Sequence, residues 1–367
     1  MRTTHKGRLE RLPPELWARV LNHLPIADVL NTRLVCRQMA PLTNHLRLSL
    51  VLKKNLSDTE VVSDLQLFIS RNCMQTTSPQ VFLTAHMFPG LHWCFVMLAS
   101  MCANLMVFDC ESMRFSLHEA QTCLRVLPAV VKCIRIAAPI AIADDAAWGR
   151  LASLSALSLW HLDPSMSCAA YTGSGLALLA GLRELSIKTA ASPHHGAPYY
   201  DGQAFSQRSV VSLHIVGRDP FSGGLNMTRC PALATIYVGE AVPVPAWVEG
   251  QQFEALSLGT YEQLSTVNPK RLLVHWLQFG TSSIDQGLKV ADLLLMPHLC
   301  TVHSEVTALN LDGSFQEHQA LLGKLRLTIK GLVQLRMSHP PLRESYLSLR
   351  SNGHTIICTC DCCRSSR

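Results

Sequence analysis

Three hexapeptides in the middle of the chain share one pattern of apolar and polar residues. They read Leu-Ser-Ala-Leu-Ser-Leu at 154–159, Leu-Arg-Glu-Leu-Ser-Ile at 182–187 and Val-Val-Ser-Leu-His-Ile at 210–215. Positions one, four and six are apolar, so the second half of each hexapeptide alternates with a period of two. That period is typical of a β-strand with one buried face. The equal spacing of the three copies predicts a repeated strand.

The pattern continues on both sides of these hexapeptides, with the central apolar residues 20 to 32 positions apart. The further copies are Leu105-Phe108-Cys110, Val131-Ile134-Ile136, Leu233-Ile236-Val238, Phe253-Leu256-Leu258, Val274-Leu277-Phe279, Val306-Leu309-Leu311 and Leu332-Leu335-Met337. A unit of this length cannot bury its apolar face alone, so neighbouring units stack into one continuous core. We therefore predict an α/β fold in which a curved parallel sheet carries helical segments, such as 175–180 and 291–295, on its convex side.

These units resemble leucine-rich repeats, and the resemblance implies a solenoid. That family usually places asparagine or cysteine three residues after the last apolar position of the strand. Here those positions hold Leu162, Ala190, Arg218, Ala241 and Tyr261. The repeats are therefore divergent. Three segments between Leu299 and Leu327 also compete for assignment as strands.

A shorter stretch near the amino terminus predicts two helices. The apolar positions of the first helix follow steps of three and four: Leu16, Val20, Leu21 and Leu24. Pro13 and Pro14 start this helix, Pro25 ends it, and Asp28 caps the next one. A segment of roughly forty residues with this much apolar surface usually needs a partner to bury it.

This stretch resembles an F-box, in which helices pack onto a Skp-type adaptor that hangs from a cullin–RING ubiquitin ligase scaffold. Thr32 and Met39 depart from the family pattern, although methionine can fill the same apolar gap. Cys36 and Arg37 match the end of the closing helix. The resemblance implies that ten residues contact the adaptor: Leu12, Pro13, Glu15, Leu16, Val20, Leu21, Leu24, Pro25, Leu34 and Val35.

Composition excludes several classes of protein. Hydrophobic residues make up 48% of the 367 residues and charged residues 16%, which favours a folded chain with a large core. The net charge of +6 comes without a basic run or stripe, so we predict no nucleic-acid partner. The longest apolar stretch, 93–103, is about half of what a bilayer requires. With no secretory signal, we expect no membrane association and a location in the cytoplasm and/or nucleus.

The cysteines and histidines predict no dedicated chemistry. Most of the fourteen cysteines stand singly in apolar runs and are interpreted as small buried hydrophobes. Four lie close together near the carboxy terminus: Cys358, Cys360, Cys362 and Cys363. Three roles remain open for this tail: binding of a soft metal, acylation and oxidation. The alternative is that the tail is a flexible segment without a dedicated role. His194 and His195 are assigned, with Tyr199 and Tyr200, to a solvated loop. We expect no catalytic residue, metal site or cofactor.

The domain organisation follows from these patterns. We predict an amino-terminal tail at 1–10, the F-box at 11–44, divergent repeats at 45–345 and a cysteine-rich tail at 346–367. Residues 45–53 and 80–85 are candidate leading strands, and 59–71 is a candidate helix.

The predicted function is recruitment of a protein. The F-box would hold the adaptor while the solenoid holds an unidentified protein target for ubiquitination. Residues between the apolar positions would face outward along the sheet, where aromatic and basic side chains dominate binding. We predict target contacts at Trp160, Lys188, His214, Tyr237, Trp276 and Arg336. The alternatives are an interaction scaffold that directs no degradation and, third, an enzyme that uses the tail thiols.

Overall fold

The structure is a computed structural model of the chain. The residues that it describes are 92–161, 170–189, 200–240, 242–279 and 288–304, the strands 47–52, 80–85, 308–312, 326–329, 334–337 and 355–358, and single positions at 16, 67, 69, 314, 316, 317 and 320.

Short strands dominate the described residues. The helices are α1 (His92–Ser100), α2 (Leu117–Val126) and α3 (Val290–Leu295). The strands up to residue 222 are β1 (Arg47–Leu52), β2 (Gln80–Ala85), β3 (Leu105–Arg114), β4 (Cys133–Ala137), β5 (Ala156–His161), β6 (Glu184–Thr189), β7 (Tyr200–Asp201), β8 (Ser212–Val216) and β9 (Phe221–Ser222). The later strands are β10 (Thr235–Val238), β11 (Gln252–Leu258), β12 (Leu273–Phe279), β13 (Leu288–Lys289), β14 (Thr301–Ser304), β15 (Ala308–Asp312), β16 (Arg326–Ile329), β17 (Gln334–Met337) and β18 (Thr355–Cys358). Short 3₁₀ turns, such as Leu176–Leu178 and Ala246–Val248, connect many of the strands.

The chain divides into two compact units, residues 1–158 and 159–367. In the first unit β1 to β4 lie side by side in chain order, and all their pairings are parallel. In the second unit β6, β8, β10, β11, β12, β14 and β16 form a parallel sheet, again in chain order. Strand β5 straddles the division. Adjacent parallel strands in chain order are the arrangement that stacked repeats produce, so the predicted fold class is confirmed.

The apolar positions of the repeats form the core. From Leu105 to Phe279, every residue of the predicted apolar triplets is buried. The leading strands expected at 45–53 and 80–85 are β1 and β2, while most of the helix expected at 59–71 lies outside the described residues. The helical returns predicted at 175–180 and 291–295 are a 3₁₀ turn and α3.

The carboxy-terminal strands correct one prediction. All three competing segments between Leu299 and Leu327 contain a strand: β14, β15 and β16. They do not share one sheet, because β13, β15, β17 and β18 form a second parallel sheet. The apolar triplets at 306–311 and 332–337 therefore belong to this second sheet. Their alternation resembles that of the main strands because a strand in either sheet has the same period of two.

Buried polar side chains link neighbouring repeats where the asparagine of the family is missing. Thr189 Oγ1 accepts a hydrogen bond of 2.7 Å from the Arg218 N–H and lies against Gly217, whose φ is +99°. A Cβ at Gly217 would lie 2.0 Å from the Thr189 carbonyl oxygen, so only glycine fits. Gln263 likewise donates to the carbonyls of Gly239 and Val242. Because buried backbone groups need partners, these contacts replace the missing ladder.

Local signals also fix the helix that follows β3. Ser116 and Glu119 form a reciprocal capping box at the start of α2, and Ala120, Cys123 and Leu124 are buried on its inner side. A similar cap appears further on, where Asp145 accepts a hydrogen bond from the Ala147 N–H. These caps set the direction of the connections between strands.

Candidate functional site

The second unit presents two rows of side chains on the face opposite its core. Parallel pairing in register aligns one residue from each of the strands β6, β8, β10, β11 and β12 in every row. The first row consists of Glu184, Ser212, Thr235, Ala255 and Trp276. The second row consists of Ser186, His214, Tyr237, Ser257 and Gln278. We call this surface, defined by these ten residues, the outward face.

The rings of His214 and Tyr237 are neighbours in the second row. Their centroids are 5.3 Å apart with an interplanar angle of 30°. The His214 Nε2 and Ser212 Oγ atoms lie 3.1 Å apart, a hydrogen bond that orients the imidazole. Burial lowers the pKa of His214, the nearby Glu184 raises it and Lys188 lowers it further, so the net direction is downward. The imidazole of His214 supports one side of the Tyr237 ring.

Trp276 is the most exposed aromatic ring on this face. Its exposed fraction is 54%, and neither strand neighbour, His275 or Leu277, shares that exposure. Between Tyr237 on β10 and Trp276 on β12, strand β11 contributes only Ala255 and Ser257. The two rings lie in different rows, because Tyr237 is opposite Ser257 and Trp276 is opposite Ala255. Aromatic residues in this setting are frequent anchors of protein interfaces.

The structure places the predicted target-binding residues differently. His214, Tyr237 and Trp276 lie on the outward face, and Lys188 is the next-to-last residue of β6, two positions after Ser186. Trp160 is half-buried on β5, and none of the three predicted aromatic anchors is in the core. Arg336 lies in β17 of the second sheet, so its assignment to the same sheet as Tyr237 is wrong. Whether any of these residues binds a target stays a prediction.

Two further residues correct the sequence-based assignments. Ser158 was expected to face outward between the apolar positions of β5, but it is buried, and its hydroxyl has no hydrogen-bond partner among the described residues. Tyr200 was assigned to a solvated loop, but it is fully buried and its hydroxyl lies 2.9 Å from His161 Nε2. His194 and His195 lie outside the described residues. A tyrosine is readily buried in a protein core when its hydroxyl group has a hydrogen-bond partner there.

The burial of Tyr200 has a sequence signal that periodicity alone does not reveal. An aromatic residue, a small polar residue and glycine occur in succession at 171–173, 200–202 and 221–223. Tyr171 pairs with Tyr200 as an isolated parallel bridge, and Tyr200 pairs with Phe221 in the β7–β9 sheet. Phe205 packs edge-on against both Tyr200 and Phe221. The triplets therefore form an aromatic layer of the second unit.

The outward side of the first unit has a different chemistry. Asp109 on β3 and Arg135 on β4 are register partners, and their side chains form an ion pair of 3.1 Å. Arg135 remains 53% exposed, so water screens this pair strongly. The neighbouring row on this side holds Phe82, Val107 and Cys133, so it contains one aromatic residue, on β2.

The predicted adaptor-binding segment is described at one position only. Leu16 is helical and 44% exposed, which leaves its side chain accessible to a partner. The other nine predicted adaptor contacts lie outside the described residues. Among the described residues, no helix has the length and apolar character needed to cross a membrane, and no group of three or more potential metal ligands comes together.

Comparison with protein families identifies this segment. Residues 9–51 match the F-box domain. The chain carries an F-box domain. The matched segment begins before the predicted helices and ends within β1. F-box domains generally bind Skp-type adaptors, so this segment has the domain class of a protein-interaction module.

Other comparisons add little to this description. No curated protein matches the sequence. Among solved structures, the leucine-rich repeat-containing protein LegL7 from Legionella pneumophila is similar, with a TM-score of 0.40 and 14% sequence identity. The match covers 78% of this chain and 91% of LegL7. The fold assignment rests on the strand order and burial described above.

Proposed function

We propose that this chain is the substrate-recruiting subunit of an SCF-type cullin–RING ubiquitin ligase. In this proposal the F-box binds a Skp-type adaptor, the adaptor joins the chain to a cullin, and the outward face of the second unit binds a protein target. The observation that carries the proposal is the F-box match at 9–51. The repeats support it, because a sheet built of stacked units offers a long surface for a partner.

The proposed mechanism is proximity, and the chain itself performs no chemical step. A target held on the repeats would keep its lysines near the conjugating enzyme at a high effective concentration. Trp160, Tyr237 and Trp276 are the proposed anchors. Lys188 is proposed to select the charge of the target, and His214 is proposed to support the Tyr237 ring. The proposed location is the cytoplasm and/or nucleus.

Co-purification from cells with the proteasome blocked tests the first part of the proposal. The full chain should recover a Skp-type adaptor, a cullin and ubiquitinated target. Replacing Leu12 and Pro13 by alanine should remove adaptor and cullin together, because each buried aliphatic side chain contributes about 1.5 to 3 kcal/mol to such an interface. Recovery of the adaptor by this double variant would refute the proposed docking mode.

A matched variant on the repeats separates the two binding functions. Replacing Trp160 and Tyr237 by alanine should reduce target recovery while leaving adaptor and cullin recovery unchanged. A collapse of the melting temperature would instead show that these rings stabilise the fold.

The second candidate function is an interaction scaffold without a role in degradation. The scaffold would use the same two binding surfaces, the F-box and the outward face. The same purification distinguishes it from the ligase subunit. Recovery of the adaptor without a cullin, together with target levels that do not rise when the proteasome is blocked, would support the scaffold.

A further inference from the structure

Two histidines of the second unit meet at the margin of the outward face. His275 lies on β12, directly before Trp276, and His298 lies in the turn between α3 and β14. Their ring centroids are 5.9 Å apart, and the ring planes are inclined at 53°. His298 is exposed and His275 is half-buried, so an ion in solution can reach them. We call His275 and His298 the histidine pair.

The separation within the histidine pair fits one shared metal ion. A zinc–nitrogen bond is about 2.0 to 2.1 Å long, which places each ring centroid about 3.2 Å from the ion. Two such centroids are about 5 Å apart at a tetrahedral angle and about 6.4 Å apart when they lie on opposite sides of the ion. The observed 5.9 Å falls between these limits. The fold therefore holds the two imidazoles at a distance that a single ion can bridge.

Strand register brings a thiol next to the histidine pair. Trp276 is the register partner of Thr301, so the residues directly before them, His275 and Cys300, lie side by side. The Cys300 N–H donates a hydrogen bond of 3.0 Å to the His275 carbonyl oxygen. The Cys300 thiol donates to the His298 carbonyl oxygen over 3.3 Å. Cys300 is exposed and forms no disulfide, so its sulfur is available beside both histidines.

A carboxylate lies on the other side of His275. In β11, Glu254 occupies the place that His275 occupies in β12, directly before the first row of the outward face, and it is exposed. Arg271, which precedes β12, forms an ion pair of 3.1 Å with Glu249, so its positive charge is partly balanced. A carboxylate beside a ligating histidine attracts a cation and can accept a hydrogen bond from the second ring nitrogen. The surroundings therefore favour a cation.

The third ligand would be completed on binding. Among the described residues, two imidazoles face each other, and no three potential metal ligands already converge. Rotation about the Cα–Cβ bond of Cys300 moves its sulfur away from the His298 carbonyl without moving the backbone. Nitrogen and sulfur donors suit zinc, whereas magnesium and calcium prefer oxygen. This set of donors therefore selects the class of metal.

We propose that His275, His298 and Cys300 bind one zinc ion, with the fourth coordination position open to water. The imidazoles bind through unprotonated ring nitrogens, and the Cys300 thiol gives its proton to solvent as the zinc–sulfur bond forms. Three protein ligands and an open position distinguish such a site from a closed structural zinc centre. The inference goes beyond the proposed function, because it requires neither the adaptor nor the protein target.

Isothermal titration of the reduced, metal-free full chain with zinc tests the inference. The parent chain for this titration carries serine at Cys358, Cys360, Cys362 and Cys363, because those thiols can bind zinc themselves. Zinc should bind saturably, and Mg²⁺ should bind at least a hundredfold more weakly. No saturable zinc binding at millimolar concentration, or equal binding of zinc and Mg²⁺, would overturn the inference.

Exposed histidines provide a matched pair of variants. His298→Gln should weaken zinc binding at least tenfold, whereas His118→Gln, on α2 of the first unit, should change it less than twofold. Zinc should raise the melting temperature of the parent and of His118→Gln more than that of His298→Gln, since a ligand stabilises the state that binds it. The melting temperatures measured without zinc show whether each variant folds. Equal zinc affinities of the two variants would overturn the inference.

Cobalt(II) in place of zinc identifies the sulfur ligand. A cobalt–thiolate bond gives a charge-transfer absorption in the near ultraviolet, which the parent should show. Cys300→Ser should lose this band and should bind zinc at least tenfold more weakly. Persistence of the band in Cys300→Ser would assign the sulfur to another cysteine and overturn the inference. The double variant of Leu12 and Pro13 should bind zinc like the parent, so the metal site and the proposed ligase function can fail independently.

Discussion

The two units share one inward pattern and differ on the opposite face. Phe108 and Ile134 in the first unit are as fully buried as Leu213 and Ile236 in the second. On the outward side, the first unit pairs a carboxylate with a guanidinium, whereas the second aligns His214 with Tyr237. The comparison teaches that the inward positions maintain the repeat, while the outward positions are free to acquire a binding chemistry.

The largest expected effect tests the inward face. Leu256→Ala should reduce the free energy of unfolding by about 2 to 5 kcal/mol, because it opens a cavity at a fully buried position. The next residue, Ser257, faces outward, and Ser257→Ala should change stability by less than about 0.5 kcal/mol. Urea denaturation of both variants measures the difference. Similar losses in the two variants would contradict the division into faces.

The next effect tests the contacts between repeats. Thr189→Val keeps the shape of the side chain but removes the buried acceptor of the Arg218 N–H, which should cost about 1 to 3 kcal/mol. Thr235 lies on the outward face, and no hydrogen bond of its side chain exists among the described residues. Thr235→Val should therefore stay within about 0.5 kcal/mol of the parent in the same denaturation experiment. If Thr189→Val leaves the free energy of unfolding unchanged, this contact does not replace the missing asparagine.

A smaller effect tests the charged side of the first unit. The ion pair between Asp109 and Arg135 should contribute at most about 1 kcal/mol, because Arg135 is largely exposed. A double-mutant cycle with Asp109→Asn and Arg135→Gln measures the coupling. The coupling should fall towards zero at high salt. A larger coupling that salt does not change would mean that the pair is shielded from water.

The smallest effect tests the neutral side of the second unit. Burial lowers the pKa of His214 below its ordinary value of about 6.5, with Glu184 opposing and Lys188 adding to the shift. The folded state then binds the proton less readily than the unfolded state. The resulting contribution to stability is complete above about pH 6.5 and is lost as the pH falls through the folded pKa. His214→Gln should flatten the decline of the melting temperature between about pH 7 and pH 5. An unchanged decline would contradict the burial of this imidazole.

Much of the fold was predictable because burial imposes a periodicity on the chain. From Leu105 to Phe279 the apolar triplets mark strands whose marked residues are all buried. The F-box was predictable because proline placement and helical spacing act within a few residues. Assignment of strands to sheets was not predictable after residue 299, since a strand of either sheet shows the same alternation. Arg336 was assigned to the wrong sheet for this reason.

The sequence by itself determined that the apolar triplets from Leu105 to Phe279 face inward and that an F-box lies near the amino terminus. These properties depend on local spacing and on the cost of exposing apolar side chains. Only the tertiary structure decided that Tyr200 is buried against His161, that Gly217 must meet Thr189, and that Tyr237 and Trp276 flank β11. Those contacts join residues about 20 to 40 positions apart. The register between strands decides which residues meet, and no local sequence pattern specifies that register.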